Sequence, residues 1–366
     1  MEWKPKILDK YIMKRFMSTF FIALLLIIGI VIIFDISEKI DYFVRNEAPI
    51  KAIIFDYYLN YIPYFINMFS PLFVFITVVF FTSRMASNSE IIAILSGGVS
   101  YHRMMVPYIV SAMIIALLSL GLNLYIIPHS NETRLKFESE YVKRSSSNST
   151  FNRRNIHYQI APGQFVYVES FSSWNNTAYK LTLETVENNE LVSKLSAESA
   201  VWDSTMGGWH MRKYFIRDYM TGSQDRIRSG ASLDTVIALN VTDFYRNDKT
   251  VQTLDINDLN ALIETQNMRG DSNVMYAQIE KQRRMTLPFS TFILTLMGVA
   301  LTSKKKRGGI GWNIAVGIAL AFLYILFLRF SEMFVYTGVM SAGLALWLPN
   351  IIYTIIAAVL YKIAPK

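Results

Sequence analysis

The sequence predicts a membrane protein of six transmembrane α-helices, with an antiparallel β-domain inserted between the third and the fourth. Three observations lead there. The chain has 366 residues, 52% of them hydrophobic, and a mean hydropathy of +0.28, which is too apolar for an ordinary soluble protein. Its apolar residues are gathered into six uncharged runs: Phe16–Phe34, Tyr57–Ser83, Met104–Pro128, Met285–Ser303, Gly308–Leu328 and Met333–Tyr361. Each is longer than the roughly 18 residues that carry a helix across ~30 Å of hydrocarbon. Between the third and fourth runs lies a polar stretch, His129–Arg284, whose apolar residues alternate with a period of two. The expected division is 1–128 for three membrane helices with a short cytoplasmic helix near 88–98, 129–271 for the β-domain, and 272–366 for a connecting helix and the last three membrane helices.

The first apolar run begins late and lacks a small-residue cleavage site, so it reads as a retained helix rather than a signal peptide. Charge then orients the chain. With the N-terminus inside, the inner pieces 1–15, 84–103, 304–307 and 362–366 carry 13 Lys and Arg against 3 acids. The short outer pieces 35–56 and 329–340 carry 4 basic and 6 acidic residues. The net charge of +8 is thus a positive-inside signal rather than a nucleic-acid footprint, and both termini are expected in the cytoplasm. Lys304-Lys305-Lys306-Arg307 is its most concentrated element.

The inner piece between the second and third helices contains Ser89-Glu90-Ile91-Ile92-Ala93-Ile94-Leu95-Ser96-Gly97-Gly98. Ser89 or Asn88 is suited to cap a short helix, with Glu90 in its first turn, where a carboxylate complements the helix dipole. Gly97-Gly98 would end it. Ile91, Ile94 and Leu95 fall on one face at i, i+3, i+4 spacing. Two readings stand. One is a simple re-entrant turn; the other is a coupling helix seated in a groove of a cytosolic ATPase, with Glu90 meeting a basic residue there and the helix moving as a unit.

The third helix is expected to end at Pro128, and Arg134–Lys143 to continue helically at the membrane surface. After a polar turn at Ser145–Asn152, alternation from His157 marks strands at Gln164–Glu169, Tyr179–Glu184 and Trp209–Arg217. Turn signals at Pro162-Gly163, Glu187–Asn189, Met206–Gly208 and Thr221–Ser223 separate them, as in an antiparallel sandwich or open barrel. Asp255 or Asn257 would cap a short helix, and a second amphipathic helix from about Ser272 to Arg284 would lead back to the membrane.

The chain lacks GxxxxGK[ST], HExxH and GxSxG, so no catalytic residue is assigned and ATP is expected on a separate subunit. It has no cysteine, and its four histidines, His102, His129, His157 and His210, show no metal-ligand spacing. No metal or cofactor is expected on this chain. Charges near the outer helix ends are the remaining candidates. Arg329 is either paired within its helix to Glu332 or snorkels, or else it binds an anionic lipid headgroup. Asp35, Glu38, Lys39 and, further on, Arg45 sit at the equivalent end of the first helix. Pro63, Pro71, Pro107, Pro288 and Pro349 fall inside membrane helices, as kinks or hinges.

Several of these segments resemble the LptF/LptG permeases of the lipopolysaccharide-export ABC transporter. Ile7-Leu8-Asp9-Lys10-Tyr11-Ile12 looks like the opening of that family, and Ser89–Gly98 like its coupling segment. Arg284-Met285-Thr286-Leu287-Pro288-Phe289 with Gly298-Val299-Ala300-Leu301 resembles its fourth helix. Arg307-Gly308-Gly309 and Trp347-Leu348-Pro349-Asn350 resemble two further signatures. The resemblance covers essentially the whole chain. It implies two paralogous permeases on a cytosolic ABC ATPase dimer in a Gram-negative inner membrane. Lipopolysaccharide would enter between the first helix of one permease and the fifth of the other, with its acyl chains in the central cavity. It would then rise into a periplasmic β-jellyroll that continues through bridge proteins toward the outer membrane. Carried over, Ser89, Glu90, Ile91, Ile94, Gly97 and Gly98 form the ATPase-coupling segment, and Lys39, Arg45 and Arg329 are the headgroup candidates. The family's basic residues at the outer end of the first helix are here replaced largely by Asp35 and Glu38. Two other functions are compatible with the residues alone: a permease for another lipid or lipoprotein, and an ATP-independent anchor or sensor whose β-domain binds a partner.

Overall fold

The structure, a computed structural model, describes residues 6–142, 152–220, 224–245, 248–271, 273–303 and 309–364. Lys304–Arg307 with Gly308, the turn at 221–223, Ser272 and most of the polar turn at 145–152 lie outside the described residues.

Helix α1 (Ile7–Arg45) is followed by a nearly continuous helical rod. The rod consists of α2 (Ile50–Ala52), a π turn at Ile53–Tyr58, and α3 (Leu59–Ser87). The short α4 (Glu90–Ser96) turns the chain back into α5 (Tyr101–Gly121), which runs through a π turn at Leu122–Ile126 into α6 (Ile127–Phe137) and a last π turn at Glu138–Val142. Six strands follow: β1 (Asn152–Ala161), β2 (Gln164–Ser172), β3 (Thr177–Glu187), β4 (Glu190–Asp203), β5 (Gly208–Asp218) and β6 (Arg226–Thr235). The chain ends in α7 (Val241–Tyr245), α8 (Asp248–Val251), α9 (Ile256–Met268), α10 (Val274–Thr302), α11 (Gly309–Tyr336) and α12 (Ala342–Ile363). Among the described residues, six helical rods are long and apolar enough to cross a membrane.

The chain divides into a helical unit (1–142, 252–256, 278–366) and a β unit (143–251, 257–277). The helix expected to stop at Pro128 instead continues to Val142. The π turn at Leu122–Ile126 explains why. A proline ring collides with the carbonyl four residues back, here that of Leu124, and widening the helix at that point makes room for it.

In the helical unit α3 is the spine. In its rod 72% of the most apolar stretch is buried, against 17% for α1. Small residues let its neighbours approach: a Cβ at Gly298 of α10 would stand 2.9 Å from Val78, and one at Gly317 of α11 would stand 2.8 Å from Val79. Buried amides fasten the other contacts. Asn67 of α3 donates to Asn123 at 2.8 Å and accepts from Ser119 at 2.6 Å. Asn350 of α12 accepts from Tyr324 of α11 at 2.9 Å and donates to the Thr286 carbonyl of α10 at 3.3 Å. Pro63, Pro71, Pro107, Pro288 and Pro349 all lie inside helices.

The β unit is a single antiparallel sheet in which each strand pairs with the next, β1 to β6 in order. The expected antiparallel insert is present, and its connectivity is a meander. One row of residues drops out of the ladder on every strand: Asn155, Glu169, Lys180, Glu198, Lys213 and Ala231. On alternate strands this row is left-handed, with φ of 54° at Asn155, 49° at Lys180 and 49° at Lys213. The inward-facing parity slips across the same row, from Val168 to Phe171, Ala178 to Leu181, and Ala197 to Ala200. The row is therefore a bend line that lets both halves of each strand face one core. That core is closed by Trp209, whose Nε1 donates to the Leu239 carbonyl at 2.8 Å, and by Phe244, stacked on Phe171 at 4.2 Å. Opposed charges bridge the line: Lys180 with Glu169 at 2.6 Å and Lys213 with Glu198 at 2.7 Å. The Glu169 hydrogen bond holds the Lys180 ammonium above its usual pKa.

A side chain other than glycine in the left-handed region costs roughly 1–2 kcal/mol, more when β-branched. Lys213→Val is expected to be about 2 kcal/mol less stable than Lys213→Gly in thermal unfolding of the full chain. Both variants lose the Glu198 pair, so their difference reads the backbone alone.

Candidate functional site

The α4 turn is built largely from backbone. Asn88 ends α3, and Ser89 takes a left-handed conformation (φ 62°) that reverses the chain into α4. The expected side-chain cap by Ser89 or Asn88 does not form. A left-handed residue aims its side chain away from the first-turn amides, and the Asn88 amide is diverted to Glu90, donating to Oε1 at 3.1 Å. The other end closes as a Schellman motif: Val99 N donates to the Ile94 carbonyl at 3.3 Å and Gly98 N to that of Leu95 at 3.1 Å. Gly98, at φ +84°, is the residue that motif requires.

The apolar face does not point outward. Ile91 is 1% exposed in a cluster with Ile12, Phe16, Met85 and Met104, and Ile94 and Leu95 pack against the same cluster. These residues seat α4 on its own chain, which corrects the expectation that they present a face to a partner. The opposite face, Ile92, Ala93 and Ser96 with Gly97 and Gly98, is the exposed one, and Ile92 is 51% exposed. Glu90 is already held by Tyr11 of α1, whose hydroxyl donates to Oε2 at 2.9 Å.

Next to this contact lies a pair that the sequence reading passed over. Arg103 donates to both oxygens of Asp9 at 2.6 Å, and the Lys6 backbone N–H donates to Oδ2 at 2.7 Å. The Asp9 side chain is 1% exposed. Arg103 entered the sequence reading only as one positive-inside charge. The available signal was an acid in the first turn of a helix, a place where it pairs readily.

At the other end of α1 the candidate cations are largely committed. Lys39 pairs with Asp35 at 2.6 Å and donates to the Tyr57 hydroxyl. Tyr58 donates to the second Asp35 oxygen at 3.1 Å. Arg45 is exposed in the last turn of α1. Arg329 donates to Glu332 at 3.0 Å, so the pairing within the helix is present. Glu332, 3% exposed, also accepts from Arg283 of α10 at 2.9 Å. Glu280 in turn joins Arg283 at 3.2 Å to the buried Arg284 at 3.1 Å. Arg329 and Arg283 flank a crevice lined by Met68, Phe69, Leu72 and Leu328. Apolar walls with two guanidinium groups at one end suit an anionic amphiphile.

A cavity of about 710 Å³ belongs to the β unit and is lined by polar and aromatic residues including His157, Tyr167, Glu184 and Lys194. None of the sequence-predicted site residues lines it. Among the described residues, no group of three or more His, Asp or Glu could hold a metal ion.

Residues 10–363 match the family described as Lipopolysaccharide export system permease LptF/LptG. The chain belongs to this family. It is thus a multi-pass inner-membrane protein of the permease type. A comparison with curated proteins finds no match. Family membership gives the signature residues physical roles here. Asp9 and Glu90 join α1 to α5 and α4, Gly298 admits Val78, and Asn350 ties α12 to α10 and α11.

Removing one partner of a buried ion pair leaves the other uncompensated, at about 3–5 kcal/mol. Glu332→Ala, which strips Arg283 and Arg329 of their shared carboxylate, should lower the thermal unfolding midpoint of the detergent-solubilised chain well below that of Arg329→Ala, which leaves Glu332 paired to Arg283.

Proposed function

We propose that this chain is one of two permease subunits that extract lipopolysaccharide from the inner membrane and pass it to a periplasmic bridge toward the outer membrane. ATP is hydrolysed by a separate cytosolic ABC ATPase dimer, and this chain catalyses no reaction. The observation that carries the reading is α4, a short helix closed by a Schellman motif, seated on its own bundle by Ile91 and exposing Ile92, Ala93 and Ser96. A membrane anchor or sensor has no use for such a face, whereas a motor-driven permease needs one. The basic excess of the inner segments supports α4 and both termini in the cytoplasm and the β unit in the periplasm.

In this reading the ATPase groove receives the Ile92 face, with Glu90 at its edge. Glu90 exchanges or shares its Tyr11 hydroxyl with a basic residue of the motor. The lipid's phosphates meet Arg329 and Arg283 at the crevice beside Met68 and Phe69, where Arg329 is 45% exposed and needs only to trade part of its Glu332 contact. Arg45 is a second exposed contact, whereas Lys39 serves mainly to hold Asp35.

Two measurements test this. Glu90→Lys and Ile92→Glu should each weaken co-purification with the ATPase about tenfold, the loss expected for one interface hot spot; unchanged co-purification, or a chain that never recruits an ATPase, favours the anchor reading. Arg329→Glu should reduce photo-crosslinking of lipopolysaccharide to probes at Met68 and Phe69 while leaving ATPase assembly intact. Crosslinking at the original level would leave Arg329 as a purely internal partner of Glu332.

A further inference from the structure

The geometry points to the Asp9–Arg103 pair, together with Tyr11–Glu90, as a latch that delivers the motor's displacement of α4 to the first membrane helix. This inference rests on the proposed function and adds the path by which the stroke leaves the coupling helix.

Three contacts join α4 and its flanks to the start of α1. Glu90 accepts from Tyr11, Ile91 is buried against Ile12 and Phe16, and Arg103, three residues past the Ser100 cap of α5, grips Asp9 with both terminal nitrogens. The third is the strongest in kind. It is bidentate and charge-assisted, and its carboxylate is shielded from solvent. A bidentate fork fixes direction as well as distance, so the foot of α1 follows any rotation of the α4–α5 turn. The turn itself is stiff, closed by the Schellman motif at one end of α4 and by Ser100 accepting from Arg103 N at the start of α5.

What α1 does when pulled follows from how it is held along its length. Only 17% of its most apolar stretch is buried, against 72% of the α3 rod and 72% of α10. Its far end is moored by Asp35, Lys39, Tyr57 and Tyr58, and by Phe43 in an aromatic cluster with Tyr57 and Phe137. Between these ends one face alone, with Phe16, Phe20 and Leu24, is buried in the bundle, so the rod swings about its moored end when the latched end moves. The α3 rod, packed against Gly298 and Gly317, cannot yield in the same way. Tyr101 and His102 of α5 also bond Ser303 and Tyr361, so the latch carries α1 along with the start of α5. Asp9 and Arg103 are positioning residues. Neither needs to touch lipid or ATPase.

The absence of cysteine in this chain permits a direct test. Asp9→Cys/Arg103→Cys removes both charges together and so leaves no uncompensated ion. In proteoliposomes with the ATPase and the partner permease, the reduced double variant should keep ATP hydrolysis but lose about tenfold in lipopolysaccharide release, the scale of a typical coupling free energy. Bridging the two thiols with a short bis-maleimide should restore release, because a covalent tie replaces the ionic one. A merely structural pair would lower hydrolysis and release together, and full release without the bridge, or none with it, overturns the latch. As a second measurement on a chain with the latch intact, spin labels at the exposed Lys10 of α1 and at Val99 in the α4–α5 turn should keep one separation through the ATP cycle. A separation that changes with nucleotide also overturns it. Failure of the unaltered assembly to release lipid with ATP counts instead against the proposed function.

Discussion

Helix α1 is fastened to its bundle at both ends by polar contacts and along its middle by one apolar face that includes Phe16, Phe20 and Leu24. At one end Asp9 is gripped by Arg103 and Glu90 by Tyr11; at the other, Asp35 gathers Lys39 and Tyr58. Charge-assisted pairs are short and directional, whereas apolar contacts with lipid and with protein are nearly interchangeable. The arrangement registers the two ends of α1 and, under the proposed latch, lets the helix tilt between them. The rest of the helical unit is built to resist that freedom. The α3 rod is buried, close-packed against glycines of α10 and α11, and tied by the Asn67–Asn123 and Asn350 amides to its neighbours. A stiff spine beside a helix held at its ends and along one face fits the proposed extraction of a lipid with several acyl chains.

The short α4 helix gains its meaning from this contrast. Its apolar residues are spent on its own chain, which turns a seven-residue helix into a rigid lever. The lever offers its partner a small surface of Ile92, Ala93 and Ser96. Glu90 sits where that surface meets α1, and a partner that engages it acts on the latch as well. The charge cluster of Arg283, Arg329, Glu280 and Glu332 shows a related economy. Arginines that would be costly if buried alone are held on shared carboxylates beside an apolar crevice, where, under the proposed function, a lipid phosphate replaces one of them.

Much of this was legible in the sequence, and the parts that were not share a cause. Uncharged runs gave the six membrane helices because span length is a one-dimensional property. Ser89–Gly98 was recognisable because its glycine stop and helical spacing are local. The partners of Glu90 and Asp9 lie 79 and 94 residues away, and no local pattern records them. For that reason Ile91, Ile94 and Leu95 read as a face for another protein when they are the helix's own anchor. Pro128 read as a stop because the π turn that accommodates it leaves no compositional mark. In the β unit, alternation was clear up to Glu169 and again from Tyr179, and the break between them is in part the bend line, where inward parity slips. β4 went unread because Glu190–Asp203 is rich in Glu, Lys, Leu and Ala, good helix formers that strand pairing on both sides overrides.

The central claim is that this chain moves lipopolysaccharide because an ATPase moves it. The most direct test is transfer of labelled lipopolysaccharide from proteoliposomes holding this chain, its partner permease and the ATPase to a bridge protein displayed outside the vesicles. The account predicts transfer that requires both ATP and this chain, and that stops when the ATPase is inhibited. Transfer at the same rate without ATP, or ATP-dependent transfer when this chain is left out, would contradict it.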